Sequence, residues 1–288
     1  MQDNLGKIKG EIKFAISKKN YKRARVLIDE YLEIAPSDYY IQGYKVLILI
    51  FTRQAEEAKK LIAQILENPL VPLRERNFVL SSYAKLLDAE NEVEDAINCY
   101  LDILATSNQV EFNIRCKLAR LYRRLKKYDE ALDILNVQDM NVMEFNVERA
   151  YIYNDIGLYG KALKALEEPI SYDGKIYKEY SDTQHLERCK NHVLGEINYN
   201  TGHIDDALKY YNQVITSKVD YIYLSSLYMI ALIKYRFSNI NECIDKCRTI
   251  LKNIERDTLL NKTQLLLGKA YIKKNQIDKA QEVFDTCR

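Results

Sequence analysis

Apolar residues along this chain recur every three or four residues and are separated by polar and charged positions. This spacing is that of one face of an α-helix and not of a strand. The longest unbroken apolar run, Val46–Phe51, is far shorter than the roughly 20 residues a membrane-spanning helix needs. Glycine (9) and proline (4) are scarce, as expected for helices joined by short loops. The pattern therefore predicts an all-α protein.

A small residue recurs at a regular interval in the predicted helices. Successive small residues are separated by 34, 38, 35, 31, 45, 36 and 37 residues, so the base period is near 34. Such self-similarity is typical of repeat proteins that stack helix pairs. The small residues are Ala24, Ala58, Ala96, Ala131, Ala162, Ala207, Cys243 and Ala280.

The neighbours of these small residues repeat as well. A bulky apolar or aromatic residue often follows four positions later, one helical turn on, as Tyr211 and Phe284 do. A glycine or alanine recurs in the preceding helix, and we expect it to make room for the small residue. Short polar segments predict the turns inside the pairs: Lys18-Lys19-Asn20, Glu90-Asn91-Glu92, Thr201-Gly202-His203 and Lys274-Asn275-Gln276. Eight helix pairs follow, at roughly 6–34, 40–68, 76–105, 112–137, 144–169, 182–216, 222–252 and 258–287.

These features resemble the tetratricopeptide repeat family. The segments LARLYRRLKKYDEALDIL, from Leu118, and LGKAYIKKNQIDKAQEVF, from Leu267, are similar to its consensus. The resemblance implies a right-handed superhelical solenoid of about eight antiparallel helix pairs, with the first helices lining a concave groove. The chain departs from the family pattern at Lys45-Val46, where a large-small pair is usual, and at Cys243, where alanine is usual. The alternative is an irregular helical bundle whose periodicity is accidental.

A single solenoid over residues 1–288 is the expected domain organisation. The step of 45 residues between Ala162 and Ala207 predicts a joint or insertion at 170–181, after Pro169. The final pair reaches Arg288 without a polar capping helix, so we expect either self-association through that end or a natural protein that continues further.

Composition limits the classes of partner. The formal net charge is only +2 although 29% of residues are charged, which argues against a globally basic nucleic-acid-binding protein. The N-terminus lacks the apolar block of a secretory signal, so we expect a cytoplasmic protein. Six cysteines without CxxC pairs are expected to be reduced thiols.

The sequence shows no apparatus for catalysis. It contains no phosphate-binding glycine loop, nucleophile elbow, HExxH motif or zinc ribbon, so an enzyme and a cofactor are not predicted. His185, Cys189 and His192 share one helical face, with Asp182 and Glu196 near the same stripe. We interpret that face as a polar groove wall and predict no metal site.

The resemblance places partner-binding residues on the first helices, at fixed offsets from each small residue. It implies a basic centre beside a wall of tyrosines, suited to an extended peptide with acidic residues. The alternative is that the arginines form a solvated face. The chaperone-binding carboxylate-clamp subtype is not predicted, because Lys13 stands where that subtype has asparagine. The predicted groove residues are Lys85, Asn113, Lys117, Arg120, Arg123, Tyr151, Asn154, Glu196, Tyr199, Tyr228 and Tyr235.

The expected function is a scaffold or adaptor that binds a protein or peptide in its groove, without nucleic acid or membrane. A first alternative is a ligand-gated regulator, which usually carries an N-terminal effector module; only about four residues precede the first predicted repeat. A second is a sensor region of a larger signalling or defence protein.

Overall fold

The computed structural model describes residues 2–107, 111–137, 141–170, 183–216, 219–237, 239–254 and 258–286. Within these ranges the chain forms sixteen α-helices, and none of them combines the length and apolar character of a membrane span. The helices are α1 Gln2–Ser17, α2 Tyr21–Ile34, α3 Tyr39–Phe51, α4 Ala55–Glu67, α5 Leu73–Ala89, α6 Val93–Thr106, α7 Phe112–Arg124, α8 Tyr128–Leu135, α9 Met143–Asp155, α10 Tyr159–Glu167, α11 Thr183–Asn200, α12 Ile204–Val214, α13 Tyr221–Arg236, α14 Ile240–Asn253, α15 Thr258–Lys273 and α16 Ile277–Asp285.

Consecutive helices form the eight pairs that the sequence predicts, with boundaries that agree within a few residues. Inside pairs such as α1 with α2, α5 with α6 and α11 with α12, the two helices pack against each other. Second helices also pack against the first helix of the next pair within each part of the chain, as α2 does with α3 and α12 with α13. The all-α class and the helix-pair stacking are confirmed.

All eight small residues are buried in the second helices. Seven are completely inaccessible to solvent, and Ala280 is 2% exposed. Because a larger side chain would push the paired helix away, a small residue is required there. Cys243, which departs from the alanine pattern, is as buried as the alanines and serves the same packing role.

The glycines of the first helices make room for a different residue from the one predicted. A Cβ atom on Gly195 would lie 2.6 Å from Cε1 of Tyr211, and one on Gly268 would lie 2.2 Å from Cε1 of Phe284. These aromatic rings belong to the residues four positions after Ala207 and Ala280, not to the small residues themselves. A flat ring lying across the first helix needs more clearance than a methyl group does, and glycine provides that clearance at positions 195 and 268.

The turns inside the pairs share one backbone feature. A residue with positive φ stands five positions before the small residue in seven of the eight pairs, and the corresponding residue of the seventh pair, 238, lies outside the described residues. This left-handed conformation lets the chain reverse between two closely packed helices, and glycine and asparagine tolerate it best. The residues are Lys19, Arg53, Asn91, Lys126, Gly157, Gly202 and Asn275, with φ between 56° and 85°.

The chain divides into two compact units, residues 1–134 and 135–288, called here the N-terminal and C-terminal units. Within each, first helices of successive pairs contact one another directly: α3 with α5 in the N-terminal unit, and α9, α11, α13 and α15 in succession in the C-terminal unit. The surface that the first helices form away from the second helices is called the first-helix face. The predicted joint at 170–181 lies outside the described residues except for Ile170, and the single-solenoid organisation stays a prediction.

Candidate functional site

A cluster of positive charge lies on the first-helix face of the N-terminal unit. Lys85 of α5 is exposed and makes no ion pair with any described residue. Lys117 of α7 is half-buried, and its Nζ lies 5.4 Å from the centre of the Tyr100 ring. Arg120, one helical turn further on, is exposed. We call Lys85, Lys117 and Arg120 the cationic patch.

The environment of Lys117 opposes its own charge. Burial, followed by the positive charges of Lys85 and Arg120, lowers the pKa of Lys117 from 10.5 to about 8. Burial disfavours an ammonium ion because it removes water, and neighbouring cations repel it. An anion bound at the patch would offset the repulsion of Lys117 by Lys85 and Arg120, so the arrangement favours a negatively charged ligand.

The other predicted residues of this unit lie at the edge of the patch. Asn113 is exposed at the start of α7, and Arg123 is half-buried near its end. The adjacent Arg124 is held by Asp88, with 2.6 Å between Nη1 and Oδ1. Arg124 therefore belongs to an ion pair between α5 and α7 and not to the patch.

An aromatic cluster on the same face was missed by the sequence analysis. Tyr40 and Tyr44 of α3 share a hydrogen bond of 2.8 Å between their Oη atoms, and their ring centres are 4.9 Å apart. Phe78 of α5 lies 6.0 Å from Tyr40 and 5.6 Å from Tyr44. Lys13 of α1 completes the cluster, with Nζ 5.3 Å from the centre of the Tyr40 ring. We call Lys13, Tyr40, Tyr44 and Phe78 the aromatic patch.

The signal for the aromatic patch is present in the sequence. The offsets that select Asn113 and Lys117 relative to Ala131 select Tyr40 and Tyr44 relative to Ala58. Although Lys45-Val46 departs from the family pattern, α3 packs against α2, α4 and α5 as a first helix does, so the same offsets apply to it.

A cavity of about 510 Å³ opens beside the aromatic patch, between the α2–α3 loop and the start of α5. Tyr40 lines it together with Pro36, Pro72 and two carboxylates, Asp38 and Glu75. Asp38 also accepts a hydrogen bond from Tyr31 Oη at 2.8 Å and forms an ion pair with Lys9 Nζ at 2.7 Å. The cavity therefore has an aromatic wall and an acidic rim.

In the C-terminal unit, two residues expected on an exposed groove are buried. Tyr151 is 8% exposed and Asn154 is 6% exposed. Tyr151 Oη donates to the carbonyl oxygen of Cys189 at 3.1 Å, and Asn154 Nδ2 donates to Glu196 Oε2 at 3.3 Å. Their predicted exposure is corrected here: α9 and α11 pack closely enough that both polar groups bond across the helix interface. Their part in binding a partner stays a prediction.

The remaining predicted tyrosines of this unit are half-buried. The guanidinium of Arg236 lies 5.3 Å from the ring centre of Tyr199, and Nζ of Lys273 lies 4.9 Å from that of Tyr235. Burial raises the pKa of Tyr228. Tyr199 and Tyr235 therefore present ring surface flanked by cations.

The histidines of α11 belong to a hydrogen-bond network. His192 is buried, and its Nδ1 lies 3.0 Å from Tyr151 Oη while its Nε2 lies 3.0 Å from Ser225 Oγ of α13. His185 Nε2 lies 3.5 Å from Cys189 Sγ. Over the part of the chain that the structure describes, no three histidines, cysteines or acids are grouped to hold a metal ion. Within the predicted polar wall, His192 and Cys189 are buried, and His192 joins three successive first helices. His185 and Glu196 are partly exposed, and Asp182 lies outside the described residues.

One family model matches part of this helix-pair stack. The tetratricopeptide repeat family model matches residues 262–287, in the final pair. That pair is similar to a tetratricopeptide repeat. No curated protein sequence is significantly similar to it.

Solved structures extend the likeness to the tetratricopeptide repeat (TPR) fold beyond the last pair. A TPR protein from Parabacteroides merdae has a TM-score of 0.68 and 14% identity, over 94% of this chain and 99% of that one. NprR in complex with its cognate peptide NprX has a TM-score of 0.60 and 17% identity, over 99% and 89%. A human IFIT1 dimer with m7Gppp-AAAA has a TM-score of 0.52 and 15% identity, over 92% and 57%. At these identities the likeness shows the fold alone.

Proposed function

We propose that this protein is a non-enzymatic scaffold that binds an acidic peptide segment of another protein on the first-helix face of its N-terminal unit. The observation that carries the proposal is the cationic patch, where Lys85, Lys117 and Arg120 concentrate positive charge around a half-buried ammonium. Carboxylates of a bound segment would relieve that repulsion and form charge-assisted hydrogen bonds. Peptide binding by NprR, which shares the fold, supports a peptide as the kind of ligand.

The half-buried tyrosines of the C-terminal unit are proposed as a second contact surface. Tyr199, Tyr228 and Tyr235 would cover apolar side chains of the partner, and Glu196 would accept hydrogen bonds from it. The buried Tyr151 and Asn154 would act indirectly, by holding α9 and α11 together. The five cysteines in the described residues are free thiols, which supports a reducing compartment such as the cytoplasm.

Reversing the charge of the cationic patch tests the proposal. Lys85→Glu, Lys117→Glu and Arg120→Glu in one variant should weaken binding of a fluorescein-labelled glutamate-rich peptide at least about tenfold, since each lost charged contact is worth roughly 1 kcal/mol or more. Binding by the wild-type protein should also weaken as salt rises from about 50 to 500 mM. Fluorescence anisotropy measures both.

A matched control separates the patch from net charge. Lys22→Glu, Lys60→Glu and Lys127→Glu change the charge of the N-terminal unit by the same amount, at exposed positions outside the first helices. This variant should lose no more than about threefold through long-range electrostatics. Equal losses in the two variants, or unchanged binding in the patch variant, would show that the patch is not the site.

The lowered pKa of Lys117 predicts a pH dependence of binding. Above pH about 8 the free protein loses the Lys117 proton, so the affinity for the acidic peptide should fall as pH rises from 7 to 9.5. The carboxylates of the peptide do not titrate in that range. Lys117→Arg keeps its charge throughout and should give a flat profile, which anisotropy at a series of pH values will reveal. An equal fall in wild type and Lys117→Arg would assign the titration to another group.

A further inference from the structure

The aromatic patch and the cationic patch are connected by one helix. Phe78 and Lys85 both belong to α5 and are seven residues apart, which places them two turns apart on the same face. At a rise of 1.5 Å per residue, their separation along the helix is about 10 Å. An extended peptide advances roughly 3.3 to 3.6 Å per residue, so about three residues of a ligand span the two patches.

The aromatic patch has the properties of a binding surface for an apolar side chain. Tyr40, Tyr44 and Phe78 come from two successive first helices, and all three remain partly accessible to solvent. A hydrogen bond joins the hydroxyl groups of Tyr40 and Tyr44, and their rings meet edge to face. The three half-buried rings present a preformed apolar surface, which costs little conformational entropy on binding.

Glycine keeps the patch open between its two helices. A Cβ atom on Gly43 would lie 2.5 Å from Cδ1 of Phe78, so any larger residue would displace the ring. Phe78 consequently lies close against α3, beside the tyrosines. The cavity of about 510 Å³ that Tyr40 also lines gives a bulky side chain room to enter next to the rings.

We infer that the ligand segment carries an aromatic or large aliphatic residue about three positions from a pair of acidic residues, and that this apolar residue packs on the aromatic patch while the acids contact the cationic patch. The inference rests on the proposed function and adds a sequence requirement to it. Lys13, which makes no ion pair in the described part of the chain, provides a further contact for a carboxylate next to the apolar residue.

The charge around the aromatic patch favours a peptide over single-stranded nucleic acid. Nucleic acid would stack bases on the tyrosines and needs cations along its phosphates. Here Glu75 lines the cavity beside Tyr40 and would repel a phosphate backbone, while the charge of Asp38 is offset by Lys9. A peptide with an uncharged anchor residue meets no such repulsion.

The test is a thermodynamic cycle between protein and ligand. The probe is a fluorescein-labelled, serine-rich peptide with one phenylalanine three residues before a pair of glutamates, made also in the reversed order. Replacing its phenylalanine by alanine should weaken binding to the wild-type protein about tenfold, since burying an aromatic side chain against rings is worth more than about 1.4 kcal/mol. In the Tyr40→Ala protein, the same replacement in the peptide should weaken binding less than about threefold.

Tyr40→Phe is the matched control, because it keeps the ring and removes only the hydroxyl group. It should retain most of the tenfold dependence on the peptide's phenylalanine, and circular dichroism should show all three proteins equally helical. A peptide with seven residues between phenylalanine and the glutamates should bind no better than the alanine peptide. This spacing requirement is one that a merely structural role of Tyr40 does not produce.

Each other outcome is decisive. If the acidic peptide binds but its phenylalanine adds nothing, or adds the same with Tyr40→Ala, the aromatic site is overturned and the proposed function stands. If neither the phenylalanine peptide nor the alanine peptide binds to the wild-type protein, the proposed function fails and the inference with it. Tighter binding of a single-stranded oligonucleotide, weakened by Tyr40→Ala, would overturn the inference in favour of nucleic acid.

Discussion

Asp220→Ala should lower the free energy of unfolding of the C-terminal unit by about 3 kcal/mol, the lower end of the usual cost of breaking a buried ion pair from one side, because Arg188 is buried and Asp220 is partly exposed. The carboxylate of Asp220 accepts two hydrogen bonds from Arg188: Nη1 donates to Oδ2 at 2.7 Å, and Nη2 donates to Oδ1 at 2.8 Å. Arg188 is 8% exposed, so its guanidinium cannot turn to water when the carboxylate is removed. Urea denaturation followed by circular dichroism measures the change.

Asp220 also begins α13, where its Oδ1 accepts a hydrogen bond from Tyr223 N at 3.0 Å. Asn239→Ala is the matched control, because Asn239 caps α14 of the same unit without a buried ion pair. Loss of that cap alone should cost about 1 kcal/mol. If the two variants are equally destabilised, the ion pair contributes nothing beyond the cap.

Acid should reduce the difference between Asp220→Ala and wild type. Burial alone would raise the pKa of Asp220, but the hydrogen bonds from Arg188 and Tyr223 and the positive charge of Arg188 outweigh it and hold that pKa below its usual range. A carboxyl group with a lowered pKa stabilises the folded state above its unfolded pKa, near 4, and this contribution is lost as pH falls through the folded value. Denaturation at a series of pH values below about 4 should show the two proteins converging.

Gly195→Ala is expected to destabilise the C-terminal unit by about 2 to 3 kcal/mol, as overpacking of a close helix contact does. The added methyl group would lie 2.6 to 2.9 Å from three atoms of the Tyr211 ring. That ring is completely buried, so it has no space to move into. The clash should outweigh the gain of up to about 1 kcal/mol that alanine normally gives over glycine inside a helix.

Gly160→Ala is the control in the same unit, and its expected change in stability has the opposite sign. A Cβ atom there meets no other atom within 4 Å, and Gly160 lies in α10 without positive φ. This variant should be unchanged or stabilised by up to about 1 kcal/mol. A second comparison uses Tyr211→Leu, which vacates the contact and should make Gly195→Ala nearly neutral. Stability of Gly195→Ala equal to wild type would mean that α11 and α12 separate freely at this point.

Most of the fold was predictable because close helix packing requires particular residue types at regularly recurring positions of the sequence. A small residue such as Ala96 or Ala207 is required wherever two helices touch, so its recurrence reveals the pairs directly. The partner of each glycine was predicted wrongly, because Gly195 and Ala207 are both small and their spacing alone does not show that the Tyr211 ring lies between the helices.

The site was less predictable. Lys85, Lys117 and Arg120 were predicted from the family resemblance together with helical offsets, and the outward face of a helix follows its periodicity. Whether Tyr151 is exposed depends instead on how closely the next helix approaches and which groups it offers, here Cys189 and His192. Such contacts join residues about 40 positions apart and leave no periodic trace in the sequence.

The left-handed residues of the turns give this protein a separate means of adjusting its thermal tolerance. Lys19, Arg53 and Lys126 adopt positive φ although each carries a Cβ atom, which disfavours that conformation. Glycine occupies the equivalent place at positions 157 and 202 without that penalty. Selection or engineering can therefore alter heat resistance one turn at a time, at residues that belong to neither the cationic patch nor the aromatic patch.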